Sequence, residues 1–176
     1  MKLNIPINCN YCGLHKFRDK MVIGKGSIPA QVLFIGEAPG ISEDTIGEPF
    51  AGLEGKLLDV MINEAFIKSK LTEIPTYYIT STVMCRPTDS QSGSNREPSE
   101  IEVLSCRENI LEIIDKVNPK GIVLVGKVAE KYYGKIRSVV FNIQHPAYLL
   151  RGGGIMHPQY SRNVRVLTHL FKEAIW

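Results

Sequence analysis

Four cysteines are the residues most able to do chemistry here: Cys9-x2-Cys12, a gap of 72 residues, then Cys85-x20-Cys106. Four thiolates suit either a cubane [4Fe–4S] cluster or a tetrahedral zinc ion. A zinc ribbon ordinarily carries two close Cys-x2-Cys pairs, whereas the second pair here is widely split. Three short polar turns form a second group. They are Gly36-Glu37-Ala38-Pro39-Gly40, Ser81 with the nearby Cys85-Arg86-Pro87, and His145-Pro146-Ala147-Tyr148-Leu149-Leu150-Arg151. Glycine and proline belong in ordinary turns, so the three gain weight only through where they fall.

They fall at the ends of strands. Val32–Gly36 is a continuous apolar run closed by glycine, as in a strand buried on both faces. Leu57, Leu58, Met61, Ile62, Ala65 and Phe66 recur at helical spacing, and Tyr77–Thr82 is β-branched and aromatic. A helix is expected between Pro98 and Pro119, burying Ile101, Leu104, Ile110, Leu111, Ile114 and Val117. Ile122–Val125 reads as a third strand, Lys127–Tyr133 as a helix, Ser138–Ile143 as a fourth strand and Ser161–Ile175 as a closing helix. The alternation predicts an α/β fold: a central parallel four-stranded sheet with helices on both faces. In such sheets ligands bind beyond the carboxyl ends of the strands, where the polar turns lie. The stretch Asp89–Arg96 (DSQSGSNR) is expected to be a mobile loop.

Composition bounds the rest. At 176 residues, 44% hydrophobic and 22% charged, with 15 Gly and 10 Pro, the chain is one domain's worth of globular protein. It is neither collagen, coiled coil nor fully disordered. No apolar run approaches the roughly 18 residues of a membrane span, and MKLNIPINC lacks a signal-peptide core. The expectation is a soluble, intracellular (cytoplasmic) protein with one domain over residues 1–176 and no membrane partner, in which disulfides are disfavoured. Charge is uneven. Residues 1–125 carry 13 Lys/Arg against 16 Asp/Glu, a balance of −3, and residues 126–176 carry 8 against 2, a balance of +6. That asymmetry suits either a polyanion partner or a solvated basic face.

The motifs taken together resemble a known family. GEAPG at 36–40, Glu43-Asp44, GEPFAG at 47–52, YIT at 78–80, CRP at 85–87 and HPAYLLR at 145–151 are similar to the family 4 uracil-DNA glycosylases, the iron–sulfur members of that superfamily. The resemblance runs in the family's order from Cys9 to Arg151, about four-fifths of the chain. It implies an α/β/α sandwich, a [4Fe–4S] cluster on Cys9, Cys12, Cys85 and Cys106, and hydrolysis of the N-glycosidic bond of a base flipped out of DNA. The family's gap between the last two cysteines is generally shorter.

The resemblance also implies roles. His145 would donate to the base oxygen as negative charge develops, while Glu37 and Glu43 would position water and balance the sugar's positive charge. Gly36, Ala38, Phe50 and Ser81 would hold the base, with Phe50 stacking on it. Arg151, Gly152 and Gly153 would approach DNA phosphates. Three features depart from the pattern. Ser81 stands where the family has an asparagine that reads the uracil edge, Glu54 replaces a small residue, and the segment between Tyr133 and His145 is short. Two readings follow: an active glycosylase working in base-excision repair, or a glycosylase-like DNA-binding module serving a replication or repair partner. A monomer is expected in either case.

Overall fold

The structure, a computed structural model, describes residues 2–173. Its sheet has five strands: β1 (Lys25–Gly26), β2 (Val32–Gly36), β3 (Tyr77–Ser81), β4 (Gly121–Val125) and β5 (Val140–Ile143), ordered β1-β3-β2-β4-β5. β2 to β5 are mutually parallel, as expected, and β1 adds an antiparallel edge to β3. The sheet is therefore mixed and five-stranded rather than four-stranded. A two-residue Lys-Gly strand has no alternation of polarity, so nothing in the sequence announces it.

Strand pleating assigns the two faces. Val32, Phe34, Val123 and Val125 point one way and pack beneath α2 (Leu53–Ser69) and α6 (Pro158–Glu173). Leu33, Ile35, Ile122 and Leu124 point the other way, against α3 (Glu100–Val117) and α4 (Lys127–Tyr133). The predicted helix Ser161–Ile175 is thus found as Pro158–Glu173, its terminal Ile175 lying outside the described residues. The α2 stripe is buried as read, with Phe66 half-buried. On α3 the stripe is rotated: Ile101 and Leu104 are exposed, and Val103, Ile110, Ile113 and Val117 fill the core. Cys106 and Glu102 must face inward on this helix, which turns its first two turns away from the simple apolar spacing.

Two short helices were not anticipated, α1 (Ile41–Ile46) and α5 (Pro146–Arg151). The second forms inside what reads as a polar turn. Pro146 presets the first helical φ, and the His145 ring accepts the Ala147 N–H at 3.2 Å. No described helix is long and apolar enough to cross a membrane.

The segment 89–96 is not the loose loop its composition suggests. Arg86, only 5% exposed, donates from Nε to Asn95 Oδ1 at 2.6 Å and from Nη2 to the Gly93 carbonyl. Arg96 forks onto Glu102 at 2.7 and 2.9 Å and reaches Asp89 at 2.8 Å. Glu102 in turn closes a capping box with Ser99, accepting its N–H at 2.7 Å. Composition could not show this, because the arginines that order the loop sit at its edges.

The Arg96 fork is the largest influence holding the Glu102 carboxyl below the ordinary range, against the opposing effect of burial. A depressed carboxylate stabilises the fold fully above its unfolded value, about 4.3, and that stability is lost as pH falls through the folded value. Urea midpoints at pH 7 and pH 3 should therefore differ less for Glu102→Gln than for the wild type. At pH 7 the substitution should cost about 1–3 kcal/mol. An unchanged pH 7 midpoint would contradict this role.

Candidate active site

A cleft of about 330 Å³ opens at the carboxyl ends of the parallel strands, where the polar turns were expected to meet. Glu37 and Ala38 follow β2, Glu43 comes from α1, Phe50 from the loop before α2, and His145 and Arg151 flank α5; all six line it. Gly36 and Ser81 do not. They pair in register at the ends of β2 and β3, beneath the Phe50 ring. A Cβ on Gly36 would lie 2.8 Å from that ring and 3.5 Å from Ser81 Oγ, so any side chain at 36 would lift Phe50 off the floor. Gly152 and Gly153 lie beyond the cleft lining, and their N–H groups donate back to α5 carbonyls at 3.0 and 3.4 Å. A Cβ on Gly152 would strike the His157 ring, which explains that glycine without a ligand.

Glu43 has a structural task. Oε2 accepts the Gly40 N–H at 3.0 Å, and Oε1 accepts those of Ala51 at 2.8 Å and Gly52 at 3.1 Å. The carboxylate thus ties the turn after β2 to the loop carrying Phe50. Phe50 itself sits at φ +52°, a left-handed conformation costly for a bulky residue, with its carbonyl against the face of Gly55 that lacks a side chain. So held, its ring faces His145 across 5.8 Å, with 25° between the planes.

His145 is neutral. Burial is the main cause, with the Arg151 charge adding to it and Glu43 opposing, and together they push its pKa down to about 4. Since Nδ1 accepts the Ala147 N–H, the single ring proton is on Nε2. The site therefore presents a neutral N–H donor fixed by the start of α5. Burial chiefly raises the Glu37 carboxyl, helped by Glu97, while Arg151 pulls it back. Glu37 contributes its backbone as well: its carbonyl accepts from Thr82 Oγ1 at 2.5 Å. Glu54, Asn95, Arg96 and Tyr148 also line the cleft. Tyr148 lies inside a motif already noted, whereas Asn95 and Arg96 were hidden by the expectation of a mobile loop.

All four cysteines line a second cavity, with Leu14, Met21, Val83 and Met84 as apolar wall. Arg18 donates from Nη1 to Cys85 Sγ at 3.2 Å. Burial raises the thiol pKa of Cys12 and Cys85, and that of Cys106 to about 12. The thiols are free. Among the described residues no three Cys, His, Asp or Glu side chains are grouped so as to hold a metal ion. Four soft donors in an apolar pocket, with a guanidinium on one sulfur, nonetheless fit a thiolate-bound group chemically.

Residues 23–165 match the model of the uracil DNA glycosylase superfamily. A type-4 uracil-DNA glycosylase of Saccharolobus solfataricus is 39% identical over 127 residues, covering 72% of this chain and 55% of the relative. That of Thermotoga maritima is 33% identical over 160 residues, covering 81% and 78%. That of Pyrobaculum aerophilum is 33% identical over 167 residues, covering 82% and 80%. The chain spans little more than half the length of the Saccharolobus relative, and 53% of one from Sulfurisphaera tokodaii. With the motifs now gathered around one cleft, the chain belongs to the type-4 uracil-DNA glycosylases of the uracil DNA glycosylase superfamily.

Proposed function

We propose that the protein hydrolyses the C1′–N bond of uracil, or of a related base, flipped out of DNA into the cleft. The observation that carries this is the neutral, Nε2-protonated His145 facing Phe50 across the cleft. As the glycosidic bond breaks, its electron pair leaves with the base, and a preorganised N–H donor stabilises the charge that develops there. Phe50 supplies an aromatic face for the base, worth about 1–3 kcal/mol in comparable stacks. The sugar becomes oxocarbenium-like, and the carboxylates of Glu37 and Glu43 oppose that positive charge. A water oxygen then bonds to C1′, and its proton leaves to a cleft carboxylate and reaches the departing base through solvent.

DNA is the proposed partner. Arg151 supports this, standing at the cleft with no ion pair among the described residues, within a C-terminal third of charge +6. The glycines after it serve α5 instead. Cys9, Cys12, Cys85 and Cys106 would hold a [4Fe–4S] cluster, whose contribution is to tie the N-terminal segment to the chain after β3. Anaerobically purified protein should then be brown, with about four irons per chain, and Cys85→Ala should lose iron together with solubility. Colourless protein with one zinc would overturn that assignment.

Ser81 favours the second reading, a DNA-binding module with weak catalysis. Its hydroxyl is shorter than an amide and offers one hydrogen, so it cannot make the two-point contact of an asparagine with O4 and N3–H. Single-turnover release of uracil from a labelled oligonucleotide separates the two. Ser81→Asn should raise it about 10- to 200-fold, and His145→Asn added to it should remove most of the gain. If Ser81→Asn and the wild type are both inert while DNA binding is normal, the module reading replaces the enzyme.

The same assay reads the two perturbed groups. With His145 titrating at about 4, the rate should show no inflection near the ordinary histidine value of about 6.5. Glu37 acts deprotonated, and burial raises its pKa, so an acid limb should appear above the usual carboxylate range. Glu37→Gln should lower the plateau and abolish that limb. A limb that persists in Glu37→Gln would assign it to another group.

A further inference from the structure

The amide of Asn95 has one half fixed and the other free. Arg86 offers only donors, so the atom it meets at 2.6 Å must be the carbonyl oxygen, and Nδ2 is the end turned to the cleft. No partner for Nδ2 exists among the described residues. Arg86 is itself 5% exposed and also grips the Gly93 carbonyl, so the orientation is set from the protein interior. A solvated loop asparagine needs no such anchor.

Opposite it stands Glu43. A carboxylate has about four lone-pair sites, and three are filled by the Gly40, Ala51 and Gly52 amides. One site remains on Oε2. Gly40 lies between the two groups: a Cβ added there would sit 3.0 Å from Glu43 Oε2 and 3.1 Å from Asn95 Nδ2. The missing side chain leaves a notch within hydrogen-bonding reach of one donor and one acceptor. That pairing is what a water needs if it is to be oriented, accepting from the amide and donating to the carboxylate.

We propose that Asn95 Nδ2 and Glu43 Oε2 together hold the attacking water in the notch at Gly40, which makes Asn95 a catalytic residue of the cleft. The proposal rests on the glycosylase reading. The water spends one lone pair on Asn95 and one hydrogen on Glu43, leaving its second lone pair for C1′. The oxygen–C1′ bond forms and the C1′–N bond breaks, the electron pair leaving with the base toward His145. The water's proton passes to Glu43 and returns through solvent to the base.

Asn95→Asp keeps the acceptor for Arg86 but removes the donor, and Asn95→Ala removes both and widens the notch. Both are measured by single-turnover excision at saturating enzyme, with methanol present as a competing nucleophile. A methyl glycoside resists hot alkali whereas an abasic site is cleaved, so one gel reports the partition. Asn95→Asp should fall about 10- to 100-fold, the loss expected for one hydrogen bond to a reacting group. Asn95→Ala should also raise the methanol fraction several-fold. A residue that merely tethers the loop would leave the partition unchanged, because water and methanol would be slowed alike. Unchanged partition in Asn95→Ala, or loss confined to DNA affinity, overturns the proposal while the glycosylase reading survives. If the wild type and Ser81→Asn release no base, the glycosylase reading fails first and this one with it.

Discussion

One carboxylate organises the cleft. Glu43 is 7% exposed and accepts three backbone N–H groups from two segments, the turn after β2 and the loop before α2. Hydrogen bonds to a charged acceptor are worth about 1.5–3 kcal/mol each, and the burial of the charge opposes part of that gain. The consequence is positional. Ala51 adjoins Phe50, so the amide bond from Ala51 to Glu43 fixes the residue that must sit in the left-handed region. Gly55 then removes the side chain that would meet the Phe50 carbonyl. Backbone strain at an aromatic persists only where the surroundings over-determine it, and here an acid and a glycine do so from opposite sides.

The adjoining Asp44 extends the same device to the N-terminal segment. Its two oxygens accept the Asp19 N–H at 3.0 and 3.1 Å, and Oδ1 accepts the Lys20 N–H at 3.3 Å. Cys9, Cys12 and Arg18 precede this anchor, and the second cysteine pair follows β3. The two cavities are therefore joined through a six-residue helix whose consecutive acids face opposite ways. Neighbouring helical positions point about 100° apart, which is why Glu43-Asp44 can serve both.

Much of this was legible in the sequence. Buried parallel strands declare themselves by continuous apolar runs, and β2 and β4 were found almost to the residue. The α2 stripe was legible for the same reason, because burial along it follows one period. What stayed hidden answers to long-range contacts. The α3 face was misread because Glu102 and Cys106 are drawn inward by Arg96 and the thiol cavity, and periodicity cannot anticipate such partners. The two-residue β1 exists only as an edge to β3. Segment 89–96 looks disordered by composition, yet a buried arginine from outside it supplies its order. For the site, the motif residues Glu37, Glu43, Phe50 and His145 were legible, but their division of labour was not. A sequence does not reveal which carboxylate is saturated by amides.

The cleft must accept a polyanion although Glu37, Glu43 and Glu54 all line it. Its two arginines do not offset these equally. Arg96 has committed its guanidinium to Asp89 and Glu102 and serves the loop. Arg151 is exposed, free of ion pairs among the described residues, and near enough to lower the pKa of both Glu37 and His145. One cation thus acts on both the carboxylate and the imidazole. It favours the ionised Glu37 that opposes a cationic sugar, and the neutral His145 that donates to an anionic base. A phosphate drawn to Arg151 would weaken both effects, letting the Glu37 pKa rise and that of His145 recover. Substrate binding and proton inventory are coupled through that single side chain, and the burial of His145, the larger cause of its shift, keeps the donor neutral while Arg151 is engaged.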